Sequence, residues 1–261
     1  MKSSNPLAAV QPQVVIMDLA GTIIDSLAVD MQTIDVLSRK YVGIGYSDLG
    51  GRRDPSKSTR ANFPSIFGEK APQAYAEYIE QLIGNIGKTS LFQGVRSFLK
   101  SRAAHDTPVY VVSNRPADYI HTALSAKKID TLVTGAFSAF DDLKAEKPSA
   151  KAVEIILART GHKNIPRDKV AIIGDSHVDI LFADNAGCTP VIYTKNQLEA
   201  DKPLIAERLE RTKPQVAYAF SEYRQLVTAW NGSPTAAEGA SAVRHFRPRR
   251  QPDRKPAGAG S

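Results

Sequence analysis

Five short apolar runs constrain this chain more than any other feature. They are VVIM (14–17), VYVV (109–112), TLVT (131–134), VAII (170–173) and PVIY (190–193). Each is too short for a helix and lacks polar alternation, the pattern of a strand buried on both faces of a parallel sheet. Helical periodicity lies between most of them, over 96–104, 117–127, 150–160 and 179–186. Strand and helix alternating at this pitch predict an α/β fold built on a doubly wound parallel sheet. Ligands of such sheets sit beyond the carboxyl ends of the strands. Asp18, Ser113 and Asp175 each fall there, directly after or at the end of an apolar run.

One stretch interrupts the alternation. Residues 27–89 contain no convincing buried strand. Residues 27–41 and 72–86 have helical periodicity, and the polar, turn-forming segment GGRRDPSKSTRANF lies between them. This predicts a small helical cap, 27–89, inserted after the first strand of a core formed by 13–26 and 90–230. Residues 1–12 and 231–261 are expected to be disordered. The second of these tails holds six Lys/Arg against two acids, more than half of the chain's net +7, and is rich in Pro, Gly, Ala and Ser. Such a tail cannot build a core, and a solvated end is expected rather than a nucleic-acid surface. No apolar run approaches the ~20 residues of a membrane helix, and the N-terminal MKSSNPLAAVQPQ lacks the apolar segment of a signal peptide. The single cysteine, Cys188, excludes a disulfide framework and is expected to be a small buried residue in a cytoplasmic protein. Trp230 is expected to close the core near the end of the last helix.

Four polar points recur in a telling order: Asp18 in MDLAGTIID, Ser113 in VVSNR, Lys147 in AEKPSA, and Asp175 with Asp179 in IIGDSHVD. Singly each has a plain structural reading, as a strand end, a helix cap or a solvated lysine. Together they have the makings of a phosphoryl-transfer site. A carboxylate is already ionised at neutral pH and can attack phosphorus. The target is anionic, so a hard cation on oxygen ligands is needed, and Mg²⁺ is the usual choice beside phosphate. Asp18, Asp175 and the backbone carbonyl of Ala20 are the expected ligands. Asp179, four residues beyond Asp175, would orient them. Lys147 offers a compact charge. Ser113, Asn114 and nearby backbone amides would hold phosphoryl oxygens. Gly21 and Thr22 would shape the turn after the nucleophile.

These motifs, in this order, resemble the haloacid dehalogenase-like superfamily over roughly residues 14–229. The resemblance implies a Rossmann-like core, a helical cap, Mg²⁺, and an aspartyl-phosphate formed on Asp18. The chain departs from most phosphatases of that superfamily at Ala20, where they carry an aspartate acting as general acid. Alanine there resembles the phosphonatase-like subgroup, whose phosphonatases cleave phosphonoacetaldehyde with the help of a cap lysine that forms a Schiff base. Lys57 is the candidate here. Arg52, Arg53 and Arg60 would lower its pKa and attract an anionic substrate. The main expectation is thus a phosphonatase or phosphonatase-like hydrolase of a small phosphonate. The alternatives are a phosphatase of a small phosphorylated metabolite and a non-catalytic binding protein of the same fold. A homodimer is also among the expectations.

Overall fold

The computed structural model describes residues 6–49, 53–195, 197, 201–210 and 218–231. In chain order the elements are β1 (Val14–Met17), β2 (Ile24–Asp25), α1 (Leu27–Val42), α2 (Thr59–Phe67), α3 (Ala71–Gly84), β3 (Ser90–Leu91) and α4 (Val95–Ala104). There follow β4 (Val109–Ser113), α5 (Ala117–Ala126), β5 (Gly135–Ser138), α6 (Ala150–Arg159), β6 (Val170–Gly174) and α7 (His177–Ala186). The last are β7 (Thr189–Tyr193), α8 (Lys202–Glu210), β8 (Tyr218–Phe220) and α9 (Tyr223–Trp230).

Six strands form one parallel sheet in the order β5-β4-β1-β6-β7-β8. β1 lies between β4 and β6, and every residue of all three is buried. The period-two alternation of a strand divides β1 between two layers. Val15 and Met17 join a cluster with Phe98 of α4, Tyr119 of α5 and Trp230 of α9. Val14 and Ile16 join another with Val153 and Ile156 of α6 and Phe182 of α7. Side chains of this size contribute about 1.5–3 kcal/mol each when fully buried. This two-sided burial explains why the strands read as uninterrupted apolar runs.

The expected doubly wound sheet is therefore present, with one strand displaced. Residues 131–134 do not form it. Asp130–Leu132 is a 3-10 turn, and the strand begins at Gly135. Thr134 leads in, its N–H donating to the Val109 carbonyl (2.7 Å) and its Oγ1 accepting from the Val109 N–H (3.0 Å). β5 is an edge strand with two of its four residues half-buried, so it carries no continuous apolar signal.

Helices α1, α2 and α3 occupy the stretch between β2 and β3. Those two strands pair antiparallel, Ile24 with Leu91 and Asp25 with Ser90, so the chain leaves and re-enters the sheet body at one place. Phe63 of α2 packs on α3, with ring centroids 5.1 Å from Tyr75 and 5.2 Å from Tyr78. α2 begins inside the segment expected to be a turn-forming loop, residues 50–63, and runs beyond it to Phe67. Its polar start is a cap: Ser58 Oγ accepts from the Ala61 N–H at 3.1 Å. The buried Asn62 amide ties down the preceding loop, accepting from the Asp54 N–H (2.7 Å) and donating to the Asp54 and Ser58 carbonyls (3.0 Å each).

The N-terminal expectation needs correction from residue 6 on; residues 1–5 lie outside the described residues. Pro6–Ala9 is a 3-10 turn, Leu7 and Val10 are buried, and Trp230 Nε1 donates to the Leu7 carbonyl at 3.1 Å. Two apolar side chains docked on α9 outweigh the polar, Pro-containing composition that suggested disorder. The tail from 232 onward lies outside the described residues. No helix among the described residues is long and apolar enough to cross a membrane.

Candidate active site

The site forms at the carboxyl end of the central strands. The Asp18 N–H donates to the Ile173 carbonyl (2.8 Å), which fixes the end of β1 against β6. A tight turn follows, in which Ile23 and Ile24 N–H both donate to the Leu19 carbonyl at 2.9 Å. Gly21 takes φ +85° within it, and a Cβ at that position would stand 2.2 Å from Asp175 Oδ2. The turn is thus both left-handed and pressed against a carboxylate, and only glycine meets both demands. Thr22 Oγ1 donates to Asp175 Oδ1 at 2.9 Å, and the Thr22 carbonyl accepts from the Tyr223 hydroxyl at 2.8 Å.

Asp179 is placed by the capping box of α7. Its Oδ2 accepts from Ser176 Oγ (2.6 Å) and the Ser176 N–H (3.2 Å). Its other oxygen accepts from Lys147 Nζ at 2.7 Å, and the same ammonium donates to Asp18 Oδ1 at 2.5 Å. Asn114 holds the lysine's backbone from both sides, accepting from the Lys147 N–H (2.8 Å) and donating to its carbonyl (3.1 Å). The structure thus brings Asp18, Asp175, Asp179, Lys147, Ser113, Ala20 and Gly21 together. Of these, all but Asp179 line a cavity of about 580 Å³. Asn114 lines it too, although its amide serves the lysine loop.

The charges of this cluster define what it could hold. Asp18, Asp175 and Asp179 each present an oxygen within 4.8 Å of the others. Burial pushes the Asp18 carboxyl up to about 6, against the pull of Lys147 and with the help of Asp179. Loss of solvent, then Asp18 and Asp179, drive Asp175 well above the usual carboxylate range. Burial opposes the charge on Lys147, yet Asp179 and Asp18 together hold its ammonium above its ordinary range. One ammonium for three crowded carboxylates leaves negative charge unmatched. An all-oxygen donor set with excess negative charge fits a hard divalent cation. Binding would require Asp18 and Asp175 deprotonated. Added Mg²⁺ is therefore expected to raise the melting temperature at pH 8 and to do so much less at pH 5, read by thermal denaturation at both pH values. Gly21→Ala is expected to weaken that Mg²⁺ response by ~10–100-fold in concentration, because it displaces the Asp175 carboxylate.

Other sequence-predicted residues have different surroundings. Lys57 lines the cavity, but its Nζ pairs with Asp54 Oδ2 at 3.0 Å and its side chain is 58% exposed. Hydrogen bonds from Ser56 and Lys57 draw the Asp54 carboxyl down to about 2. The arginines expected to surround Lys57 are engaged elsewhere. Arg53 Nη1 lies 3.3 Å from Asp201 Oδ2. Arg60 Nη1 lies 2.6 Å from Glu146 Oε1, its guanidinium stacked 3.5 Å from the Phe140 ring. Arg52 lies outside the described residues. Cys188 is buried, as expected, and burial pushes its thiol up to about 11.

Sequence reasoning missed Arg115, two residues beyond Ser113 in the same motif. It is buried, its Nη2 donates to Asp30 Oδ1 at 2.6 Å, and its guanidinium lies 4.9 Å from the Tyr78 ring. Asp30 also accepts from the Tyr78 hydroxyl (2.7 Å) and from Ser26 Oγ (2.8 Å). This network ties α1 and α3 to the loop carrying Ser113 and Asn114. The available signal was an arginine within an otherwise recognised motif and an aspartate in the first turn of α1.

Residues 15–193 match the haloacid dehalogenase-like hydrolase family. A phosphoglycolate phosphatase of Pseudomonas fluorescens is 27% identical over 220 residues, covering 78% of this chain and 79% of its own. Two solved structures share the fold. One is a family IA, variant 3 hydrolase of Entamoeba histolytica, at TM-score 0.63 and 14% identity over 84% of this chain and 99% of its own. The other is a haloacid dehalogenase-like family hydrolase of Streptococcus pneumoniae, at TM-score 0.61 and 16% identity over 84% and 98%. With the carboxylates and lysine of its motifs converging at the end of a parallel sheet, this chain belongs to the haloacid dehalogenase-like hydrolase family.

Proposed function

We propose that the chain is a Mg²⁺-dependent phosphatase of a small phosphorylated metabolite, with Asp18 as nucleophile. The observation that carries this reading is the cluster of Asp18, Asp175 and Asp179, with Lys147 bridging Asp18 and Asp179, and with Asp18, Asp175 and Lys147 lining one cavity. Asp18 attacks phosphorus and forms an aspartyl-phosphate that water hydrolyses. Asp18, Asp175 and the Ala20 carbonyl hold Mg²⁺, which when bound neutralises charge between the carboxylates and the phosphoryl group. Lys147 steadies Asp18 and the phosphoryl oxygens, and Asp179 orients Lys147. Ser113 and the backbone amides beside it hold phosphoryl oxygens. Residues 27–89 act as the cap, contributing Lys57, Arg53 and Arg60 to the cavity wall. The names of the curated relatives favour a phosphate ester as substrate.

Ala20 supports a second reading, hydrolysis of a phosphonate through a Schiff base on Lys57. Against it stands the ion pair of Lys57 Nζ with Asp54 Oδ2 at 3.0 Å, which imine formation would have to break. In the phosphatase reading, water or the substrate supplies the proton that Ala20 cannot give. Phosphate release from a panel of phosphorylated metabolites, lost with EDTA and restored by Mg²⁺, is the expected result. Labelling of Lys57 by borohydride in the presence of phosphonoacetaldehyde would decide for the second reading instead. No turnover on either kind of substrate would leave the chain a binding protein of the hydrolase fold.

A further inference from the structure

The cavity has room that a two-carbon glycolate would leave largely empty. Its ~580 Å³ falls within the 300–1,000 Å³ of pockets that enclose drug-sized ligands. The lining includes a set of apolar side chains: Met31 and Ile34 of α1, Leu49, Phe63 and Ile66 of α2, and Tyr75 of α3. The charges on the remaining wall carry the argument. Among the described residues the lining cations are Arg53, Lys57, Arg60, Arg115 and Lys147. Each is already paired with a carboxylate of the protein: Asp201, Asp54, Glu146, Asp30, and Asp18 with Asp179, respectively. Asp201 is 1% exposed, and the side chains of the Arg115–Asp30 pair are 9% and 13% exposed. A second anionic group on the substrate could capture Arg53 or Arg115 only by leaving an enclosed carboxylate without its counter-ion, which is strongly unfavourable, and could capture Arg60 or Lys57 only by displacing Glu146 or Asp54 from an existing, more exposed ion pair. One donor does remain. Arg115 Nη1 is buried and makes no hydrogen bond, which suits a single neutral oxygen.

We propose that this site, read as a phosphatase, takes phosphomonoesters of uncharged, largely apolar alcohols and discriminates against phosphoglycolate, the substrate named for its relatives. The proposal rests on the phosphatase reading and narrows it. The phosphoryl group engages Lys147 and the carboxylate cluster, while the alcohol lies against Met31, Ile34 and Phe63. Each methylene buried there is worth roughly fourfold in binding.

Phosphate release by the full chain with saturating Mg²⁺, from benzyl phosphate and from 2-phosphoglycolate, tests this. The expected kcat/KM for benzyl phosphate is at least tenfold the higher. Met31→Lys adds an unpaired cation to the apolar wall, and it is expected to lower the benzyl phosphate value tenfold or more while raising that for phosphoglycolate. The wild-type ratio decides even if the variant fails to fold. Phosphoglycolate turned over as well as benzyl phosphate, or release from neither while other metabolite phosphates are hydrolysed, overturns the inference alone. No release from any phosphate ester overturns the phosphatase reading and this inference with it.

Discussion

Asp18→Asn is expected to lower phosphate release by about 10⁴-fold or more while leaving the protein folded and, without metal, more stable than the wild type at pH 8. The loss of activity follows from the amide's lack of nucleophilicity, and variants of nucleophiles that act as part of a unit show losses of this order. Asparagine is nearly the same shape and keeps an oxygen to accept from Lys147. The stability gain follows from the shift at Asp18. Its carboxyl is raised from 3.8 to about 6 in the folded chain, chiefly by burial. A raised carboxyl favours the fold while protonated, so that contribution fades as pH climbs from about 4 through about 6. At pH 8 the ionised Asp18 is a cost to the metal-free fold, and Asn removes it. Phosphate-release kinetics and a thermal melt in EDTA check the two halves separately. Residual turnover within tenfold of wild type would remove Asp18 from the reaction, and an unfolded variant would contradict the electrostatic account.

Lys147→Met is expected to act in the opposite sense on stability. The ammonium is 2.5 Å from Asp18 and 2.7 Å from Asp179, with its side chain 5% exposed. Removing one partner of a buried ion pair costs about 3–5 kcal/mol, because the remaining charge stays buried and unmatched. Here two carboxylates are left, with Asp175 beside them. The folded lysine's pKa lies above its ordinary value, so its contribution is fully present at pH 8 and is lost only at strongly alkaline pH. Urea denaturation at pH 8 should show the full deficit. At pH 5 the deficit should shrink as the Asp18 carboxyl, raised to about 6 by burial, protonates. Activity should fall ~10²–10³-fold, the range for losing one preorganised charge donor. A variant as stable as wild type at pH 8 would mean that the carboxylates are compensated by some other group.

The central sheet and the carboxylate cluster were legible because both depend on local pattern. A strand buried on both faces leaves little choice but an apolar run, and its last residue must open onto the ligand edge. Asp18, Ser113 and Asp175 could be placed from that rule alone. β5 was misplaced because an edge strand is only half covered and needs no such run. α2 was missed because its start is built from polar capping chemistry at Ser58 and Asn62, which in sequence looks the same as a loop. The loose N-terminus was wrong because docking of Leu7 and Val10 on α9 is a contact across the length of the chain. The environment of Lys57 was misjudged for a related reason. Three arginines close in sequence suggested a positive pocket, but the partners of Arg53 and Arg60, Asp201 and Glu146, come from distant segments. Pairings made across the fold decide whether a charge is available, and periodicity does not report them.

The two-residue ladder between β2 and β3 has a consequence for how this chain could change. Because Asp25 and Ser90 face each other, everything between them is, to the sheet, a single closed loop whose ends are already joined. Loop-closure entropy grows only slowly with length. A shorter or longer helical segment could therefore be exchanged at this doorway without shifting Asp18 or Asp175, and a new recognition surface could be fitted to an old reaction centre.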